Sequence, residues 1–142
     1  MLKGTLIHPE MLAALGGMGH GSQVLITDGN FPHDTAPNPN AARVYLNLSP
    51  GVLTVSQVLE ALRAAIPIER IALMDPHDDA DPRPSAHAEL TASLPDDVAV
   101  DHIHRFDYYE ATQSSDVGLV VATADLRPYA NLLITIGVVR PE

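Results

Sequence analysis

Six short aliphatic and β-branched runs, most of them separated by a segment that reads as helix, restrict the fold of this chain more than any other feature. The runs are residues 23–27, 43–48, 70–74, 98–103, 117–123 and 131–139. Each has the length of a strand and is bounded by turn-forming residues. Residues 9–18 read as a helix, with Pro9 in its first turn, Glu10 at its positive end and Met11, Leu12 and Leu15 as an apolar stripe. Residues 54–66 carry the strongest helical pattern. Val55, Val58, Leu59, Leu62 and Ile66 recur on one face, and Thr54 is placed to cap it. Residues 85–94 predict a helix behind a Ser cap, and 107–115 a shorter one. Strands mostly alternating with helices predict an α/β three-layer sandwich around a mostly parallel sheet. Only residues 124–130 separate the last two runs, too few for a helical crossover. That pair is therefore expected to be antiparallel and the sheet mixed.

Length and charge set further bounds. A chain of 142 residues without a linker, repeat or low-complexity tract predicts a single domain over 1–142. A net charge of −10 argues against a nucleic-acid partner, which needs a basic face. No apolar run approaches the roughly 20 residues that span a bilayer, so no membrane partner is expected. The absence of cysteine removes disulfide and thiolate chemistry. With no signal-like N-terminus, it points to the cytoplasm.

The stretch at 16–32, GGMGHGSQVLITDGNFP, raises the chemical question. It places His20 on a glycine-flanked turn before the first strand and Asp28 just after it. A five-residue strand spans roughly 17 Å. The two groups can share a site only if the turn folds back or a neighbouring subunit supplies one of them. Imidazole exchanges protons near neutrality, although His20 also fits an ordinary loop histidine. Asp28 sits where open α/β sheets bind ligands, but an Asx-turn before Gly29 accounts for it nearly as well. The long loop after it, residues 28–40, either covers a site or is simply solvated. Arg105 at a strand end, with Tyr108 and Tyr109 at a helix start, suits recognition of sugar or carboxylate oxygens; packing alone is the commoner reason for such a pair. Tyr129 and Asn131, two apart before a strand, can face one way.

Two patterns carry less. GGMGHG has dinucleotide-like glycine spacing, but it follows a helix and precedes a strand, the reverse of a phosphate cradle. His77, Asp78, Asp79 and Asp81 lie in the acidic, proline-punctuated stretch 75–84 without a recognisable ligand spacing. No metal and no cofactor is expected.

Together, the LKG start, HPEMLAALGGMGHG with its strand and DGNFP, then RFDYYEA and finally PYANLLITIGVV resemble the D-ribose pyranase and L-fucose mutarotase family along nearly the whole chain. NFP and RFDYYE are closer to the fucose branch; the ribose branch tends to carry histidine where Tyr109 stands. The resemblance implies cytoplasmic, cofactor-independent isomerases of monosaccharides, built as rings that commonly pair into decamers with sites between subunits. It implies His20 as proton donor and Asp28 as the substrate-binding acid. Tyr109, Tyr129 and Asn131 match sugar-contacting positions, with Arg105 beside them. Tyr109 or Tyr129 would relay the second proton. A ribose pyranase and a non-catalytic sugar-binding module are the competing readings.

Overall fold

The computed structural model describes residues 1–78 and 83–142. Asp79 and Asp81 of the acidic stretch lie outside the described residues. Ten elements follow in order: α1 (Pro9–Gly16), β1 (Gln23–Thr27), β2 (Ala42–Tyr45), α2 (Val55–Leu62), β3 (Ile68–Asp75), α3 (Ala86–Ala92), β4 (Ala99–His104), α4 (Arg105–Ala111), β5 (Val117–Ala122) and β6 (Leu132–Ile136). The strands form one six-stranded sheet in the order β2-β5-β1-β6-β3-β4.

β6 runs antiparallel to both neighbours, while β2–β5, β5–β1 and β3–β4 are parallel, so the sheet is mixed. β5 and β6 point in opposite directions as expected, but they do not pair. β1 lies between them, bonded to each. Central strands buried on both faces read as continuous apolar runs. The burial of Val24, Leu25, Ile26 and Thr27, each 0% exposed, has that origin.

Two cores make three layers. On one face α1, α2 and α3 bring Met11, Val55, Leu59, Leu62 and Leu90 against Val24, Ile26, Ile71 and Leu119. On the other, Tyr108 of α4 joins Phe31 and Ala41 over Leu25, Met74 and Val120. The loop after β1 therefore supplies part of a layer. Arg43 holds it, donating from Nε to the His33 carbonyl (3.1 Å) and from Nη1 to those of Asn38 (3.1 Å) and Ala41 (3.0 Å). It is in part a packed wall, with Phe31, Pro37 and Asn38 buried, while Gly29, Asn30, Pro32, Asp34 and Thr35 stay exposed.

Local signals set some helix ends and not others. Thr54 and Gln57 form a reciprocal capping box at α2. The regular helix stops at Leu62, one turn short of the predicted end, and Ile66 still packs on the core. Ser85 precedes α3 but makes no side-chain cap bond. α4 begins at Arg105, directly after β4, so Arg105 opens the helix and Tyr108 and Tyr109 lie within it. No described helix is long and apolar enough to cross a membrane.

Candidate active site

The reversed direction of β6 creates the site. Ile26 of β1 stands opposite Leu132, the first residue of β6. The residue that enters β6 and the residue that leaves β1 therefore meet at one sheet edge. They are Asn131 and Asp28. The Asp28 N–H donates to Asn131 Oδ1 (2.8 Å) and Asn131 Nδ2 donates to Asp28 Oδ2 (3.0 Å). Asn30 N–H donates to Asp28 Oδ1 (2.9 Å), so the Asx-turn is real, and the same carboxylate lines a cavity. Gly29 lets this turn lie on the segment after β5, since a Cβ there would stand 3.3 Å from the Asp125 carbonyl.

The cavity has a volume of about 180 Å³, below the roughly 300–1,000 Å³ of pockets for drug-sized ligands. Asp28, Arg105, Tyr109, Tyr129 and Asn131 all line it. Five of the six residues singled out from the sequence thus converge from three separate stretches of chain. Arg105 Nε donates to the Tyr109 hydroxyl (3.1 Å), a one-turn pair on α4. Phe31 backs Tyr109 with ring centroids 5.5 Å apart. Tyr129 holds φ at +62°, a left-handed conformation uncommon outside glycine. Its carbonyl lies 3.3 Å from His87 Nε2.

His20 is not in this cavity. It sits at the other end of β1, where Gly21 N–H donates to the Ile136 carbonyl (3.0 Å) and His20 Nε2 lies 3.1 Å from Glu69 Oε2. Its side chain is 58% exposed. His20 and Asp28 thus stand at opposite ends of β1.

Asn30, Phe31, Met74 and Pro128 also line the cavity. Asn30 and Phe31 stand within the DGNFP run, but nothing in the sequence separates Met74 or Pro128 from ordinary core and turn residues. A larger cavity of about 410 Å³ opens beyond Asn30. Its one carboxylate, Asp125, is taken up by Arg127 (2.7 Å) and by the Val55 N–H (3.0 Å). The smaller cavity is the one that gathers the residues singled out from the sequence.

Burial raises the Asp28 carboxyl above the usual range, against the bonds from Asn30, Asn131 and Phe31 that lower it. Two consequences follow. The folded state binds this proton more tightly than the unfolded chain, so Asp28's contribution to stability falls as pH rises from the ordinary carboxylate range through the raised value. A ligand whose hydroxyls donate to the carboxylate needs it ionised, so its affinity should fall as pH drops through that same raised value. Titrating ligand binding by NMR from pH 7 downward tests this. The loss should begin above the ordinary carboxylate range and be absent in Asp28→Asn, which should bind weakly at every pH. A wild-type profile as flat as the variant's would remove Asp28 from the site.

Residues 1–139 match the RbsD / FucU transport protein family. A fucose mutarotase of Danio rerio is 30% identical over 154 residues, covering 100% of this chain and 97% of that protein. A D-ribose pyranase of Paracidovorax citrulli is 27% identical, covering 97% and 98%. The structure of FucU from Bifidobacterium longum superimposes with a TM-score of 0.77 at 29% identity, covering 94% of this chain and 96% of that one. Bacillus subtilis RbsD complexed with D-ribose gives a TM-score of 0.82 at 19% identity over 99% and 100% of the two chains, a likeness of fold.

Proposed function

This chain belongs to the RbsD / FucU transport protein family, and from that premise we propose that it interconverts the anomers of a reducing monosaccharide, L-fucose first among them. The observation that carries the reading is the convergence of Asp28, Arg105, Tyr109, Tyr129 and Asn131 on one small polar cavity. Anomer exchange opens the ring hemiacetal to the free aldehyde and recloses it on the other face. Opening needs an acid at the ring oxygen and a base at the anomeric hydroxyl, and closing reverses both.

In this scheme Asp28 and Asn131 hold sugar hydroxyls, their positions fixed by their mutual hydrogen bonds. Tyr109, anchored by Arg105, relays the anomeric proton, or Tyr129 of the same cavity does. Phe31 and the tyrosine rings offer apolar faces to sugar C–H groups.

His20 supplies the ring-oxygen proton, and a second copy of the chain must bring it. Its exposure and its place at the far end of the sheet support a head-to-tail arrangement, which closes into a ring when the rotation permits. Exposed apolar residues at both ends favour this: Val138 and Val139 follow β6, and Phe106 stands beside Tyr109 of the cavity. A pair of such rings, a decamer, is the assembly we propose.

The sugar is the open term, because relatives of both names match at similar identity. Tyr109, where the ribose branch tends to carry histidine, favours fucose over ribose. Saturation-transfer NMR on L-fucose, D-galactose and D-ribose decides it. We expect the largest excess exchange with L-fucose. Fastest pyranose–furanose exchange on ribose would make the protein a ribose pyranase. Binding without excess exchange on any sugar would make it a binding module.

A further inference from the structure

Outside the cavity, His87, Asp75 and His102 meet where α3, the end of β3 and the edge strand β4 come together. The His87 side chain is 3% exposed. Its Nε2 faces the Tyr129 carbonyl, which can only accept, so this nitrogen carries the proton. In a neutral ring Nδ1 is then a bare lone pair. That atom is fully buried and has no hydrogen-bond partner among the described residues. What faces it is Asp75 Oδ1 at 3.6 Å, another acceptor, and the Met74 carbonyl beside the ring is an acceptor too. Lone pairs turned on one another in a buried place call for a cation between them.

The third group narrows the choice. His102 Nδ1 lies 2.9 Å from the same Asp75 oxygen, and the three donor atoms all fall within 4.8 Å of one another. A proton on His87 would bridge only His87 and Asp75. An ion with several coordination positions engages all three groups. Donors on a tetrahedral zinc stand about 3.3 Å apart, given bonds of about 2.0–2.1 Å, and the 2.9 and 3.6 Å separations bracket that value. Two imidazoles with one carboxylate suit a first-row divalent transition ion rather than magnesium or calcium. Asp75 and His102 are 27% and 34% exposed, which gives the ion a way in and leaves a position for water.

We propose that Asp75, His87 and His102 form a binding site for a zinc-type divalent ion, which fixes His87 against the Tyr129 carbonyl. A ligating histidine commonly donates its other N–H to a backbone carbonyl, which sets ring and tautomer together; here that carbonyl belongs to the residue with the left-handed φ. The ion takes no part in proton transfer. It tightens the turn that carries Tyr129 and Asn131 into the cavity, a consequence that rests on the sugar-site reading, whereas ion binding itself does not.

The test uses the intact chain stripped with chelator and titrated with zinc chloride against a chromophoric competitor, with thermal melts alongside. One saturable zinc per chain and a raised melting temperature are expected, with no response to magnesium. His102→Ala and Asp75→Asn, both at partly exposed positions, should fold and weaken binding by at least about tenfold, the low end of what even an outer-shell change costs. His87→Ala should do the same if it folds. No saturable zinc in the wild type, or binding undiminished in the first two variants, would overturn the site. Zinc binding with unchanged sugar exchange and affinity would keep the site and remove its link to Tyr129. Absence of excess sugar exchange in the wild type, with zinc binding intact, would count against the mutarotase reading and leave the ion site standing.

Discussion

His20→Ala should slow anomer exchange by about 10²–10⁴-fold, the usual worth of a positioned acid–base group, with little change in melting temperature. The ring is 58% exposed and its described partner is the exposed Glu69, so little packing is lost. The sharper form of the experiment combines two inactive proteins. His20→Ala and Asp28→Asn each damage every site when alone. If each cavity takes His20 from a neighbour, co-refolding equal amounts restores about a quarter of the sites, since a heterologous interface pairs one copy's His20 with the next copy's Asp28. A site built within one chain gives no recovery. Exchange rates after mixing, set against the unmixed variants, distinguish the two, and no recovery with mixed assemblies demonstrably formed would end the shared-site proposal.

Asp125→Ala should cost about 3 kcal/mol of stability, near the lower bound for breaking a buried ion pair. Asp125 is 1% exposed and holds together segments far apart in sequence. Its Oδ2 accepts from the first N–H of α2 at Val55 (3.0 Å) and from Arg127 Nη2 (2.7 Å), and its Oδ1 accepts from Arg127 Nε (3.0 Å). Arg127 also reaches Glu89 (2.8 Å) and Ser56 (3.1 Å), and being 27% exposed it can turn partly to water, which places the loss at the low end. For a chain this size the melting temperature should fall by roughly 10 °C. Asp125→Asn, which keeps an acceptor for Val55, should lose less.

The pH dependence has a definite sign. Burial works to raise the Asp125 carboxyl, but the bonds from Arg127 and Val55 outweigh it and hold the group below the ordinary range. Its stabilisation is thus complete above the ordinary carboxylate value and is lost as pH falls through the depressed one. Asp125→Asn should lack this acid-side component. A melting temperature for Asp125→Ala within two degrees of wild type would show that the ion pair does not hold the turn.

How much of this was legible beforehand depended on the range of the interactions involved. β1 runs over the five residues that the apolar run marks, and α2 carries its buried stripe and Thr54 cap where local pattern puts them. α4 starts earlier than predicted because β4 passes into it at His104 without a turn residue between. The link between β5 and β6 misled for a related reason. The short link of residues 124–130 says that the chain reverses, but nothing in it says that another strand fills the gap between the two.

The site divides along the same line. Periodicity and turn chemistry, which act over a few residues, fixed the strands and helices and put Asp28, Tyr129 and Asn131 at their ends. Which ends share an edge is a matter of sheet order, settled by burial of apolar faces across the whole chain. That order seats Asn131 on Asp28, leaves His20 at the opposite end, and gathers Asp75, His87 and His102, which no spacing in the sequence connects. Local sequence determined which groups the protein has to work with, and long-range packing, which has no local signature, decided which of them meet.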